Sequence, residues 1–137
     1  MNYDTALYSE RGGRIGNEDV VTIAGMPGKI LALAADGLGG MGNGDMAAND
    51  TVTYLSALFN CKLEEDLLCS RIQEENKRIL DMHRDGKQMM STIAAFWSDG
   101  ELTLAATMGD TRLYQFRSGQ IISAIAVIVI EEPENVE

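Results

Sequence analysis

Three acidic sites in this sequence stand where an extended run gives way to glycine. They are Glu18-Asp19 beyond the turn Arg11-Gly12-Gly13-Arg14-Ile15-Gly16-Asn17, Asp36 at the end of Ile30-Leu31-Ala32-Leu33-Ala34-Ala35, and Asp110 within Gly109-Asp110-Thr111-Arg112. An aspartate that closes an apolar run is costly to bury without compensation. Mg²⁺ or Mn²⁺ would supply it, because hard divalent cations take carboxylate, carbonyl and water oxygens. Gly37 allows its carbonyl to turn toward the same ion. The residues alone leave a second reading open, in which Asp36 caps the turn that follows it.

These residues need a scaffold, and the pattern suggests one. Residues 3–10 read as a first strand and 20–24 as a second, with a turn at Met26-Pro27-Gly28-Lys29. The run 30–35 is apolar throughout, which predicts a strand buried on both faces. Residues 36–44 read as a glycine-rich loop. Residues 45–60 form a helix on the stripe Ala47, Ala48, Val52, Leu55 and Leu58. Residues 63–83 form a stronger helix, with Leu67, Leu68, Ile72, Ile79 and Leu80 as its apolar face and Glu64, Glu65, Glu74 and Glu75 as its wet one. Strands over 92–97 and 102–107 flank Asp99-Gly100, read as a two-residue hairpin turn, and strands over 112–116 and 120–130 flank Ser118-Gly119. Strands, two helices, then strands again predict an α+β fold with helices on antiparallel sheet rather than a parallel βαβ array.

The bulk numbers bound the function. The chain has 137 residues, enough for one domain with a real core, and a net charge of −10. That charge argues against nucleic acid and against anionic membranes as partners. It does not oppose a phosphorylated substrate, because bound divalent metals invert the local sign. No apolar run reaches the ~20 residues of a membrane span. The N-terminus has no basic and apolar leader, and Cys61 and Cys69 match no zinc spacing and suit plain thiols in a reduced, cytoplasmic protein. His83, the one histidine, sits at a charged helix end and is not expected to be catalytic; Met89 and Met90 read as core filler, and Arg112 as part of a structural ion pair.

Taken together, the motifs resemble those of the PPM-type metal-dependent protein phosphatases (the protein phosphatase 2C family). Arg14-Ile15-Gly16-Asn17-Glu18-Asp19 resembles the family's R-x-x-N-E/Q-D, and Asp36-Gly37-Leu38-Gly39-Gly40 its D-G-M/H-G-G. Gly44-Asp45-Met46-Ala47-Ala48 is similar to the G-x-x-A-A helix start, Met90-Ser91-Thr92 to a strand opening, and Gly109-Asp110-Thr111-Arg112-Leu113-Tyr114 to G-D-S-R-x-Y. The resemblance implies hydrolysis of phosphoserine or phosphothreonine in proteins by a metal-bridged hydroxide, with no phosphoenzyme. It implies an α-β-β-α sandwich of antiparallel sheets, two Mn²⁺ or Mg²⁺ ions and a weaker third. Asp36 would bridge two metals, Glu18 and the Gly37 carbonyl would complete one, Asp19 would hold metal-bound water, and Asp110 would help hold the third. Arg14 would bind the substrate phosphate, for which a bidentate guanidinium is suited.

The chain also departs from the family. The segments that follow the G-D-S-R hairpin, including the late D-G and D-N aspartates of the second metal, are not visible. Residues 122–132 resemble the family's last strand, as though an internal piece were missing from a single shortened domain spanning 1–137. The second metal site would then be under-liganded, and open sheet edges would invite a homodimer. Two other readings stand beside the enzyme. One is a catalytically inactive PPM-like binding or regulatory module. The other is a dinucleotide-binding domain, since Gly37-Leu38-Gly39-Gly40-Met41-Gly42 fits G-x-G-x-x-G.

Overall fold

The computed structural model describes residues 3–13, 16–39, 43–83 and 88–125. The elements run β1 (Asp19–Met26), β2 (Lys29–Leu38), α1 (Asn43–Ser56), a 3₁₀ turn (Ala57–Asn60), α2 (Glu65–Met82), β3 (Met90–Ser91), β4 (Ile93–Ser98), β5 (Thr103–Met108), β6 (Leu113–Arg117) and β7 (Gln120–Ile125). One sheet has the order β1-β2-β4-β5, with β3 added to the end of β2, and β6 and β7 form a separate hairpin. Every pairing among the described residues is antiparallel. That excludes the parallel βαβ unit a dinucleotide fold requires.

Alternation along β2 explains where the core lies. Leu31, Leu33 and Ala35 are buried under α1 and α2, together with Ile93, Ala95, Trp97, Leu104 and Ala106 from β4 and β5. From the helices come Ala48, Val52, Leu55, Leu68 and Ile72. Ala32 and Ala34 point to the other face and are half-buried. The run 30–35 is therefore not sealed on both sides throughout, as its composition predicts: Leu31, Leu33 and Ala35 fill one face, while on the other Ile30 is buried but Ala32 and Ala34 are half-exposed.

The strand also continues further than expected. Asp36, Gly37 and Leu38 are not loop but the last residues of β2, because β3 supplies partners, Ser91 opposite Gly37 and Met90 opposite Leu38. Residues 3–10 form no strand. They pair with no strand among the described residues, although Tyr3, Thr5, Ala6 and Leu7 line a cavity beside the edge strand β1, and Tyr3 donates its hydroxyl to Ser98 Oγ at 3.0 Å. The β4–β5 connection is wider than two residues: Asp99 Oδ1 accepts from the backbone N–H groups of Glu101 and Leu102 at 2.9 and 2.8 Å. The β6–β7 turn matches its sequence signal, with Ser118 and Gly119 both at positive φ, 54° and 77°, as a two-residue hairpin demands. The expected strand over 120–130 is described only to Ile125.

Two assignments on α2 reverse. Glu75 is buried and Leu80 is exposed. Leu68, Ile72, Glu75 and Ile79 recur at the helical spacing of one face, so position 75 faces inward whatever its residue type. α1 answers it with Thr51, whose hydroxyl donates to Glu75 Oε1 at 3.3 Å. Met89 is core, as expected, but Met90 is exposed. No helix among the described residues is long and apolar enough to cross a membrane.

Candidate functional site

The β1–β2 register sets Asp19 directly opposite Asp36. Opposed residues of an antiparallel pair share a face, and two carboxylates so placed repel unless positive charge lies beside them. Asp36 has the parity of Ala32 and Ala34, so the pair lies on the face away from the helices. Asp110, on the turn after β5, lines the same open cleft, about 310 Å³ in volume, together with Asp19, Asp36 and Thr111. A neighbouring polar depression of about 230 Å³ is lined by Glu10, Arg11, Asn17, Glu18, Asp19 and Asp36. Asp19 and Asp36 form the wall between the two.

Glu18, the residue before β1, lines the polar depression and reaches the first turn of α1. A Cβ at Gly44, in the first turn of α1, would overlap the Glu18 carboxylate, and one at Gly37 would overlap the Gly44 carbonyl. Glycine at 37 and 44 is therefore what lets β2, α1 and Glu18 close on each other. The Gly37 N–H donates to the Glu18 carbonyl at 3.0 Å. Ahead of this, Asn17 organises the turn: its Oδ1 accepts from the Asp19 N–H at 3.0 Å and its Nδ2 donates to Ser9 Oγ at 2.7 Å.

Thr92 ties the acidic segments together. Its N–H donates to the Asp36 carbonyl at 2.9 Å, and its Oγ1 accepts from the Asp36 N–H at 3.0 Å. The same hydroxyl is hydrogen-bonded to Thr111 Oγ1. Gly109, at φ 91°, packs so closely that a Cβ there would overlap the Thr92 methyl. One side chain thus holds Asp36 and the Asp110 turn in fixed relation. The sequence offered Thr92 only as part of a strand opening, since nothing in the residue type announces a double hydrogen bond to a residue 56 positions away.

The predicted site residues therefore divide. Asp19, Asp36 and Asp110 share one cleft, and Glu18 and Gly37 adjoin it at the start of α1. Arg14 lies outside the described residues. His83 has no part in the cleft; its Nε2 lies 2.6 Å from the Met89 carbonyl. Among the described residues Arg112 makes no ion pair of the kind expected; its Nη1 donates to the Tyr114 hydroxyl at 3.3 Å. All the donors are oxygens, which fits a hard divalent ion that keeps several waters. Among the described residues, no three Asp, Glu, His or Cys side chains come together closely enough to hold a metal ion by themselves.

No protein-family model matches the chain, and no curated protein matches it. Solved structures do. The serine/threonine phosphatase PstP/Ppp of Mycobacterium tuberculosis aligns at 30% identity with a TM-score of 0.73, over 87% of this chain and 52% of its own. The catalytic domain of PstP, in complex with two manganese ions, aligns at 29% identity and TM-score 0.71, over 83% and 51%. The PPM Ser-Thr phosphatase MsPP of Mycobacterium smegmatis, in complex with cacodylate, aligns at 26% identity and TM-score 0.68, over 83% and 49%. The chain thus spans about half the length of these three structures. It carries the fold of the PPM-type serine/threonine phosphatases.

Proposed function

We propose that this chain is a metal-dependent phosphatase unit that hydrolyses phosphoserine or phosphothreonine in proteins. The observation that carries the reading is the gathering of Asp19, Asp36 and Asp110 around one cleft at the end of β1 and β2, with Asp36 fixed by Thr92. Asp36, Glu18 and the Gly37 carbonyl would hold one Mn²⁺ or Mg²⁺. Asp36 and Asp110 would serve further ions, with Asp19 accepting hydrogen bonds from their water. When bound, such ions lower the pKa of water and clamp the attacking and leaving oxygens. Arg14 would take the substrate phosphate in a bidentate grip.

This chain's own residues do the positioning. The N–H and the hydroxyl of Thr92 both bond the Asp36 backbone, so its carboxylate is presented without a loop's freedom. Asn17 orients the N–H of Asp19 and so the turn that carries Glu18. Asp19 can accept a proton-bearing water at the cleft margin. The second ion has few ligands from these residues. A second copy joined at an edge strand, β1 or β5, would be the source of others.

A non-catalytic binding module is the second reading, favoured by the absence of a converged three-carboxylate group among the described residues. The two separate in a p-nitrophenyl phosphate assay across a Mn²⁺ titration, run with Asp36→Asn. The proposal predicts hydrolysis that requires Mn²⁺ and disappears in the variant. Turnover equal to the variant's at millimolar Mn²⁺ would leave the binding module.

A further inference from the structure

Among the described residues Arg112 enters no ion pair, in a chain whose net charge is −10. It stands just beyond the acidic cleft, which Asp110 and Thr111 help to line. Thr111 is fixed there: its hydroxyl is bonded to that of Thr92, which in turn accepts from the Asp36 N–H at 3.0 Å. The Arg112 guanidinium is held along β6, donating from Nη1 to the Tyr114 hydroxyl at 3.3 Å. The rings of Tyr114 and Phe116 follow, 6.5 Å apart, and Ile121 stands opposite Phe116 on β7. Arg112, Tyr114, Phe116 and Ile121 are all exposed. A stripe thus begins with a cation at the cleft and leads away from it as an apolar surface, with Phe116 roughly 13 Å beyond Arg112 at strand spacing.

We propose that this stripe carries the segment of the substrate protein that adjoins its phosphoresidue, with Arg112 selecting an acidic residue beside the phosphate and Tyr114 and Phe116 taking apolar residues further along. The inference rests on the phosphatase reading, which places the phosphate at Asp36. Two observations favour this occupant. The first is continuity with the cleft. An extended peptide anchored there covers Arg112 with the residue beside the phosphate and reaches Tyr114 and Phe116 about two and four residues later. The second is charge. The carboxylates of the cleft and the net charge of the chain both repel an acidic segment. An exposed guanidinium with no carboxylate of its own is where such a segment is attracted, and its position sets the direction in which the peptide lies. Its planar fork suits a carboxylate, and Phe116 offers a large rigid surface with no polar atom. Tyr114 is also a positioning residue, since its hydroxyl accepts from Arg112.

The test is fluorescence anisotropy of the full chain at millimolar Mn²⁺ with labelled peptides. Each carries a non-hydrolysable phosphonate in place of phosphothreonine, flanked on both sides by Asp, by Ala or by Lys, with Leu at the second and fourth positions beyond each flank. The wild type should bind them in the order Asp, Ala, Lys, about threefold apart at each step, as an exposed ion pair gives. Arg112→Lys should keep that order and Arg112→Glu should reverse it, which a merely structural role for Arg112 would not do. Phe116→Ser should weaken all three about fivefold with their order intact, as the loss of about 40 Å² of apolar contact gives. No binding, equal affinities in the wild type, an order that Arg112→Glu leaves standing, or undiminished binding in Phe116→Ser would overturn the proposal. p-Nitrophenyl phosphate turnover, measured alongside, separates it from the reading on which it rests. Turnover with equal peptide affinities would overturn the peptide stripe and keep the phosphatase. The predicted peptide order without turnover would support the stripe as a binding face and remove the phosphatase.

Discussion

On the helix side of the sheet, Trp97, Leu31, Leu55 and Leu68 are sealed from water; at the far margin of the other side, Asp19 and Asp110 stand exposed. The contrast extends to the hairpin β6–β7, where Tyr114, Phe116 and Ile121 are exposed. The two regions do different work. The helix side buries apolar surface, the dominant favourable contribution to folding. The margin of the other side gathers carboxylates instead, an arrangement that a bound cation would favour. Stability and chemistry are thus carried by opposite faces of the same strands.

The largest expected effect sharpens that contrast directly. Trp97→Ala, in the middle of β4, should cost about 3–5 kcal/mol by urea denaturation. Phe116→Ala, at a position 63% exposed on β6, should cost within about 0.5 kcal/mol. Comparable losses would show that the hairpin side is as well packed as the helix side. The junction between the faces comes next. Gly37→Ala forces a Cβ into the Gly44 carbonyl and should destabilise by about 1–3 kcal/mol, as overpacking does, while lowering Mn²⁺ affinity.

A third prediction concerns the one acid on the closed side. Glu75 has a folded pKa raised to about 8 by burial and by Asp50, from an ordinary value of 4.5. Between those values the folded state holds a proton the unfolded state has released. Its contribution to stability is therefore complete below about pH 4.5 and is lost as pH rises toward 8, with a slope no steeper than about 1.4 kcal/mol per pH unit. Glu75→Gln should flatten that part of the stability–pH curve. An unchanged curve would show that Glu75 ionises normally. The smallest effect is expected at Thr92. Thr92→Val removes the acceptor of the Asp36 N–H, a loss of about 1 kcal/mol that should appear as faster hydrogen exchange at Asp36 and weaker Mn²⁺ binding, with Thr92→Ser close to wild type.

The acidic margin was legible in the sequence because each carboxylate stands beside glycines. Gly37 and Gly44 are required by close backbone approach, and that requirement leaves a spacing that pattern reading can find. The Ser118-Gly119 turn was legible because a two-residue hairpin demands positive φ at both positions. What the sequence hid depends on partners far along the chain. Glu75 looks like a wet-face residue until Thr51 and Arg78 are seen around it. Asp36 to Leu38 looks like loop until β3 arrives from beyond α2 to extend the strand. Residues 3–10 have strand-like composition, yet a strand also needs a neighbour.

The measurement that bears most directly on the account is Mn²⁺ binding followed by electron paramagnetic resonance, with wild type and Asp36→Asn titrated side by side. A metal centre built on Asp36 predicts that wild type removes the free-ion signal at low added Mn²⁺ and that Asp36→Asn leaves it in solution. Identical titrations would contradict the account, and the gathering of Asp19, Asp36 and Asp110 would then need a cause other than a metal.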